Sequence, residues 1–175
     1  MLDDGRRLPP PRPYRPVEQV LQVPLDAAEV TLQMLRRAGE RETGLFWYGL
    51  RGGPVSIVTS VRAPKQRMTL FNYQVSGAAM TAMTESLGDA LRPLAQVHSH
   101  PGLGVEHSPF DDLMASTRKA LSLVFPRYGR LAAQWPDGIG VHEWQVDYWH
   151  LLSPTQARTR VVLVPRANVE RVDFR

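Results

Sequence analysis

Residues Val97–Asp112 read VHSHPGLGVEHSPFDD, and this stretch decides how the rest of the chain is read. Leu94–His98 is a short run that predicts a strand, and His98 and His100, two apart at its end, project from one face. Pro101 stops the strand, and Gly102 and Gly104 let the following loop turn sharply. Ser108 before Pro109 marks a helix start, cap then first helical position, with Asp111 in the first turn. The intervening loop is long enough to fold Asp111 back toward the histidines. Two imidazoles and one carboxylate fill three positions of a tetrahedral ion and leave one for water, as in a catalytic zinc site rather than a closed structural one. Each half alone has a plainer explanation. Ser-Pro-Phe-Asp is a good helix start by itself, and His-x-His on a strand is often a surface feature. Together, the pattern H-x-H-P-x6-S-x-x-D arises by chance in a chain this long on the order of 10⁻⁵ times.

Composition narrows the chemistry around that motif. The absence of cysteine excludes disulfides, thiol nucleophiles, iron–sulfur clusters and every cysteine-ligated zinc site, so a metal must be held by nitrogen and oxygen. A length of 175 residues suits one compact domain. No apolar run approaches the ~20 residues of a membrane helix, and no basic-then-apolar leader opens the chain. The expectation is a soluble, unexported, cytoplasmic protein with no membrane partner. The net charge of +4 comes from 19 arginines against only Lys65 and Lys119, with an excess of arginine at both ends. Basic ends can meet nucleic acid or an acidic protein face. Neither end interleaves arginine with an aromatic stacking platform, so solvated ends are expected and nucleic acid is not the expected partner. Phosphate-cradling glycine loops, G-x-S-x-G and the cysteine-dependent deaminase pattern are missing. His142-Glu143 begins like H-E-x-x-H, but Val146 stands where the second histidine must be.

Outward from the motif, the chain parses as one α/β domain over residues 17–175, preceded by a proline- and arginine-rich arm over residues 1–16. The arm holds five of the fifteen prolines and reads as extended chain, either a docking strand or, with no partner to dock on, a solvated leader. A strand is expected over Val17–Val23, then a helix over Ala27–Ala38 with Asp26 as its cap and Gly39 ending it. The aromatic run Glu42–Leu50 and Val55–Val61, joined at Gly52–Gly53–Pro54, predict a hairpin. Met68–Val75 reads as another strand, and Ser76 caps a helix to about Leu87. The helix that opens at Ser108-Pro109 is expected to run to about Leu121. Leu123–Phe125, Gly138–Val146 and Arg160–Val164 finish as strands. The four tryptophans read as core or rim aromatics, and His107 and His150 as structural residues.

His98-Ser99-His100-Pro101 followed by Ser108-x-x-Asp111 resembles the signature of the JAMM (MPN-plus) zinc metalloproteases. That family adds an upstream glutamate before a glycine-bounded apolar strand, and Glu42-Thr43-Gly44-Leu45-Phe46-Trp47-Tyr48-Gly49 matches that element. The resemblance spans about residues 20–150. Only 48 residues separate Gly49 from His98, so the chain looks like a compact prokaryotic member. The resemblance implies a curved mixed β-sheet flanked by helices, of the JAMM/MPN, cytidine-deaminase-like type. It makes His98, His100 and Asp111 the ligands of one zinc ion and Glu42 the general base. Ser108 would orient the water or donate to the developing oxyanion. Glu40 is the rival base, set aside because it precedes Arg41 in the expected helix-to-strand turn. The implied activity is isopeptide or peptide hydrolysis after the C-terminal glycine tail of a ubiquitin-like protein. Its activating and conjugating enzymes would be companions, as in phage-defence operons. Trimming of a sulfur-carrier protein to its Gly-Gly end is a second enzymatic reading, and a non-catalytic scaffold is a reading of another class.

Overall fold

The structure is a computed structural model that describes residues 7–131 and 135–175. Strand β1 (Val20–Pro24) leads without a loop into α1 (Leu25–Arg37), whose first turn follows Pro24. Asp26 is therefore not the cap. It lies inside the first turn, and its carboxylate accepts from the backbone N–H groups of Ala167 and Val169, tying the C-terminal segment to the start of α1. The predicted hairpin is present as β2 (Gly44–Gly52) and β3 (Val55–Ala63). Met68–Val75 is not one strand. Thr69 bonds back to Asn72 through both its backbone and its hydroxyl, which folds the segment into the two-residue strands β4 (Arg67–Met68) and β5 (Tyr73–Gln74). Ser76 caps α2 (Gly77–Glu85) by accepting from Ala79 N–H, and β6 (Arg92–Ser99) follows.

Helix α3 (Pro109–Met114) is shorter than the sequence suggests. Just beyond it, the Ser116 N–H and hydroxyl both bond the Gln96 side chain, and that alternative pairing draws the chain out of the helix. Then come β7 (Leu121–Phe125), a 3-10 turn at Pro126–Gly129, β8 (Gly140–Gln145) and β9 (Tyr148–Leu151). The chain closes with α4 (Pro154–Arg160), β10 (Val161–Val164) and β11 (Glu170–Asp173). The sequence reading missed β9, α4 and β11. Among the described residues no helix is long and apolar enough to cross a membrane.

Nine strands make one strongly curled mixed sheet in the order β10-β1-β3-β2-β6-β7-β8-β9, with β11 also paired to β3. Register shifts in β2 next to Tyr48 help the curl, because a bulge adds local twist. Gly49 falls at the bulge, where a Cβ would run into the Ile57 carbonyl. One face of the sheet carries Leu45, Trp47, Val61, Val97 and Leu123 and packs on α1 through Ala27, Met34 and Leu35 to form the main core. Trp47 lies in that core and donates its indole N–H to Thr31, so its polar edge is satisfied. On the opposite face Phe46 and Tyr48 pack with Met83 of α2 in a smaller cluster. The arm, read from sequence as a solvated leader, instead lies along β8 and β9 from Arg7 to Arg15.

Candidate metal centre

The site grows from the pairing of β2 with β6. Gly44 is opposite His98 in this antiparallel register, and the backbone N–H of Ser99 donates to Thr43 O. Continuing that register two residues sets Glu42 across from His100, on the same face as His98. The pairing of β2 with β6 ends at Gly44 and His98, and just beyond it Glu42 lies close enough to feel the charges of His100 and Asp111. Asp111 arrives from the other side. Its carboxylate accepts from the Ser108 N–H and hydroxyl at 2.7 Å each, while Ser108 Oγ accepts from the Asp111 N–H, a reciprocal cap that fixes the first turn of α3.

These elements bring three ligand atoms into one cluster. His98 Nε2 and His100 Nε2 are 3.1 Å apart, and each lies 3.4 Å from an Asp111 oxygen. With one ligand atom from each residue, all within 4.8 Å of one another, this donor set could hold a metal ion. The ring chemistry agrees. His100 Nδ1 lies 3.1 Å from the Gly104 carbonyl, which can only accept. Nδ1 therefore carries a proton, and in the neutral ring Nε2 is the lone-pair atom that a metal would take. Among the described residues His98 Nδ1 is buried with no partner, so that ring is held by packing. Burial works against ionised Asp111, yet bonds with His100 and His98 hold its carboxyl well below the usual range. For His100, burial opposes the charged form, but Asp111 outweighs it and the pKa is raised.

Glu42 is buried, and its backbone N–H is anchored on Thr69 O. Desolvation pushes its carboxyl from 4.5 up to about 7, with His100 pulling the value down and Asp111 pushing it up. That value suits a group that must exchange a proton near neutrality. Glu40 is exposed and faces Arg130 at 3.5 Å, away from the cluster. Of the five residues singled out by sequence, Glu42, His98, His100, Ser108 and Asp111, all meet at this one place.

Supporting residues came from long-range contacts that no local pattern signals. The Tyr73 ring packs where a Gly44 side chain would be and lies 5.9 Å from the His98 ring. Gln66 bonds both the N–H and the carbonyl of Gly44, and Arg175 reaches Thr43 Oγ1 at 3.0 Å. Arg127 and Tyr128 adopt left-handed backbone angles (φ 47° and 55°), and their N–H groups hold Gly102 O and His100 O. Strain in that turn thus clamps the ligand loop. His107 is buried, stacks on His142 at 3.8 Å and bonds Asp112 and Ser122 at 2.8 Å each. Burial, then repulsion from His98, pushes its pKa down to about 2, so the ring is neutral. It donates from Nδ1 to Asp112 and accepts from the Ser122 hydroxyl at Nε2.

No protein-family model and no curated protein matches the chain. Among solved structures, the chain is similar to the solution structure of protein DSY2949 from Desulfitobacterium hafniense, with a TM-score of 0.62 and 17% identity over 83% of this chain and 94% of that one. The likeness shows a shared fold.

Proposed function

We propose that the protein is a zinc-dependent peptidase or isopeptidase of the JAMM type, and that its sheet is a JAMM/MPN, cytidine-deaminase-like one. The observation that carries this reading is the convergence of His98, His100 and Asp111, ligand atoms within 4.8 Å of one another, with a buried Glu42 close enough to feel the charges of His100 and Asp111. A bound zinc would polarise the scissile carbonyl and bring the pKa of a coordinated water to about 7. Glu42 takes the proton of the attacking water and returns it to the leaving amine, so amide and water become acid and amine with no net proton change. Ser108, whose hydroxyl hydrogen is donated to Asp111 in this structure, would turn that hydrogen to the oxygen that gains negative charge at the carbonyl. No cysteine is present and no serine takes the role of nucleophile, so no acyl-enzyme forms.

The substrate class rests on the resemblance: the acyl side is the glycine tail of a ubiquitin-like protein. Glycine lacks a Cβ, so such a tail can lie as an extended strand beside a sheet edge. The test is metal analysis of protein purified without chelator, followed by incubation with a ubiquitin-like protein encoded near its gene and fused through Gly-Gly or Ala-Ala to a reporter. We expect one zinc per chain, chelator-sensitive cleavage of the Gly-Gly fusion and slow cleavage of the Ala-Ala fusion. Absence of a stoichiometric divalent ion would remove the metal reading, and equal rates on the two fusions would remove the glycine-tail reading.

A further inference from the structure

Helix α3 carries Asp111 but has little to hold it. It is six residues long and buries no apolar side chain, far short of the ~12–15 residues at which a helix begins to stand alone. Besides the contacts of Asp111 with His98 and His100, the polar ties of the helix to the rest of the chain run through Asp112, the next residue. Asp112 Oδ1 accepts from His107, which is itself fixed in the sheet by Ser122 and His142. Asp112 Oδ2 accepts from Arg7 Nε at 2.8 Å.

Arg7 is not an ordinary surface arginine. Its Nη2 donates to the Trp149 carbonyl at 3.0 Å, and its guanidinium lies 4.5 Å above the Tyr148 ring. The neighbouring arm is bound too. Tyr148 OH donates to Leu8 O at 2.9 Å, Tyr14 OH donates to Glu143 at 2.6 Å, and Arg15 exchanges two bonds with the Gln145 side chain. Three contacts on one guanidinium leave it little freedom to lose, which separates this pair from the exposed ion pairs that contribute almost nothing.

We propose that the N-terminal arm is a working part of the metal centre: Arg7 clamps Asp112 against His107 and so holds α3 with Asp111 in position to complete the ligand set. Arg7 is a positioning residue, and the inference rests on the metal reading above. Loss of a group that bonds a metal ligand directly typically costs about 10–100-fold in metal affinity, and Arg7, which acts a step further out through Asp112, belongs at the low end of that range.

The experiment compares the full-length wild type with Arg7→Gln, Arg7→Lys and the control Arg158→Gln, whose exposed guanidinium pairs with Asp137 far from α3. Zinc affinity is read by chelator competition, and amide exchange over residues 109–114 is read in the metal-free protein. Arg7→Gln should bind zinc about 10-fold more weakly and exchange its α3 amides faster. Arg7→Lys should fall between, since an ammonium can reach Asp112 but cannot also form the planar contacts. Arg158→Gln should match the wild type. Wild-type zinc affinity and α3 protection in Arg7→Gln would overturn the clamp while leaving the metal reading intact. No zinc binding by the wild type would overturn the metal reading and the inference together.

Discussion

Glu42 is the residue at which sequence and site meet most directly. In the metal-free chain its carboxyl is raised from 4.5 to about 7 by burial, so the folded state keeps a proton that the unfolded state has already lost. Its stabilising contribution is complete below about pH 4.5 and disappears as pH rises through about 7. Glu42→Gln, which carries no charge, should therefore be more stable than the wild type at pH 8 without metal, by on the order of 1–2 kcal/mol, and equal to it near pH 4.5. Denaturant titrations at the two pH values check this, and a variant less stable than the wild type at pH 8 contradicts it. The same substitution should keep zinc and lower turnover by about 10²–10⁴-fold. Glu40→Gln should change stability by no more than about 0.5 kcal/mol and leave turnover intact, since Glu40 is 72% exposed. Glu40 lies exposed in the bend before β2, whereas Glu42, two residues on, is buried.

At the scale of elements, β2 shows why the glycine-bounded strand has the composition it has. A Cβ on Gly44 would enter the Tyr73 ring, and that ring shields the buried side of His98. Gly44→Ala should cost about 1–3 kcal/mol, as overpacking of a filled core does, and should weaken zinc binding by displacing Tyr73. Thermal unfolding with and without zinc measures both effects. A loss under about 0.5 kcal/mol would mean that Tyr73 moves aside freely. The hydrophobic and aromatic periodicity made β2, β3, β6 and the first turn of α3 legible. It could not show that Ser116 would leave α3 to pair with Gln96, nor that Thr69 and Asn72 would fold Met68–Val75 into two short strands. Those outcomes were decided by side chains distant in sequence or by a local turn that competed with the strand pattern.

At the scale of the molecule, the candidate ligands come from β6, the loop after it and α3, and unfolding separates them. Zinc should therefore bind the native chain and raise its stability, by about 2.7 kcal/mol when free zinc is 100 times its dissociation constant. Unfolding curves that superimpose with and without zinc would contradict a native metal site. The sequence by itself determined the donor types of the candidate site, their spacing, the capping turn at Ser108 and Asp111, and the strand that begins two residues after Glu42. All of these follow from local geometry and from which residues can donate lone pairs. Only the tertiary structure decided what surrounds them: the Tyr73 ring over Gly44, the left-handed turn at Arg127 and Tyr128, the His107–His142 stack, and an arm that binds β8, β9 and Asp112. These contacts join residues as far apart as Arg7 and Trp149, and the curl of the nine-stranded sheet is what brings such distant segments within hydrogen-bonding reach.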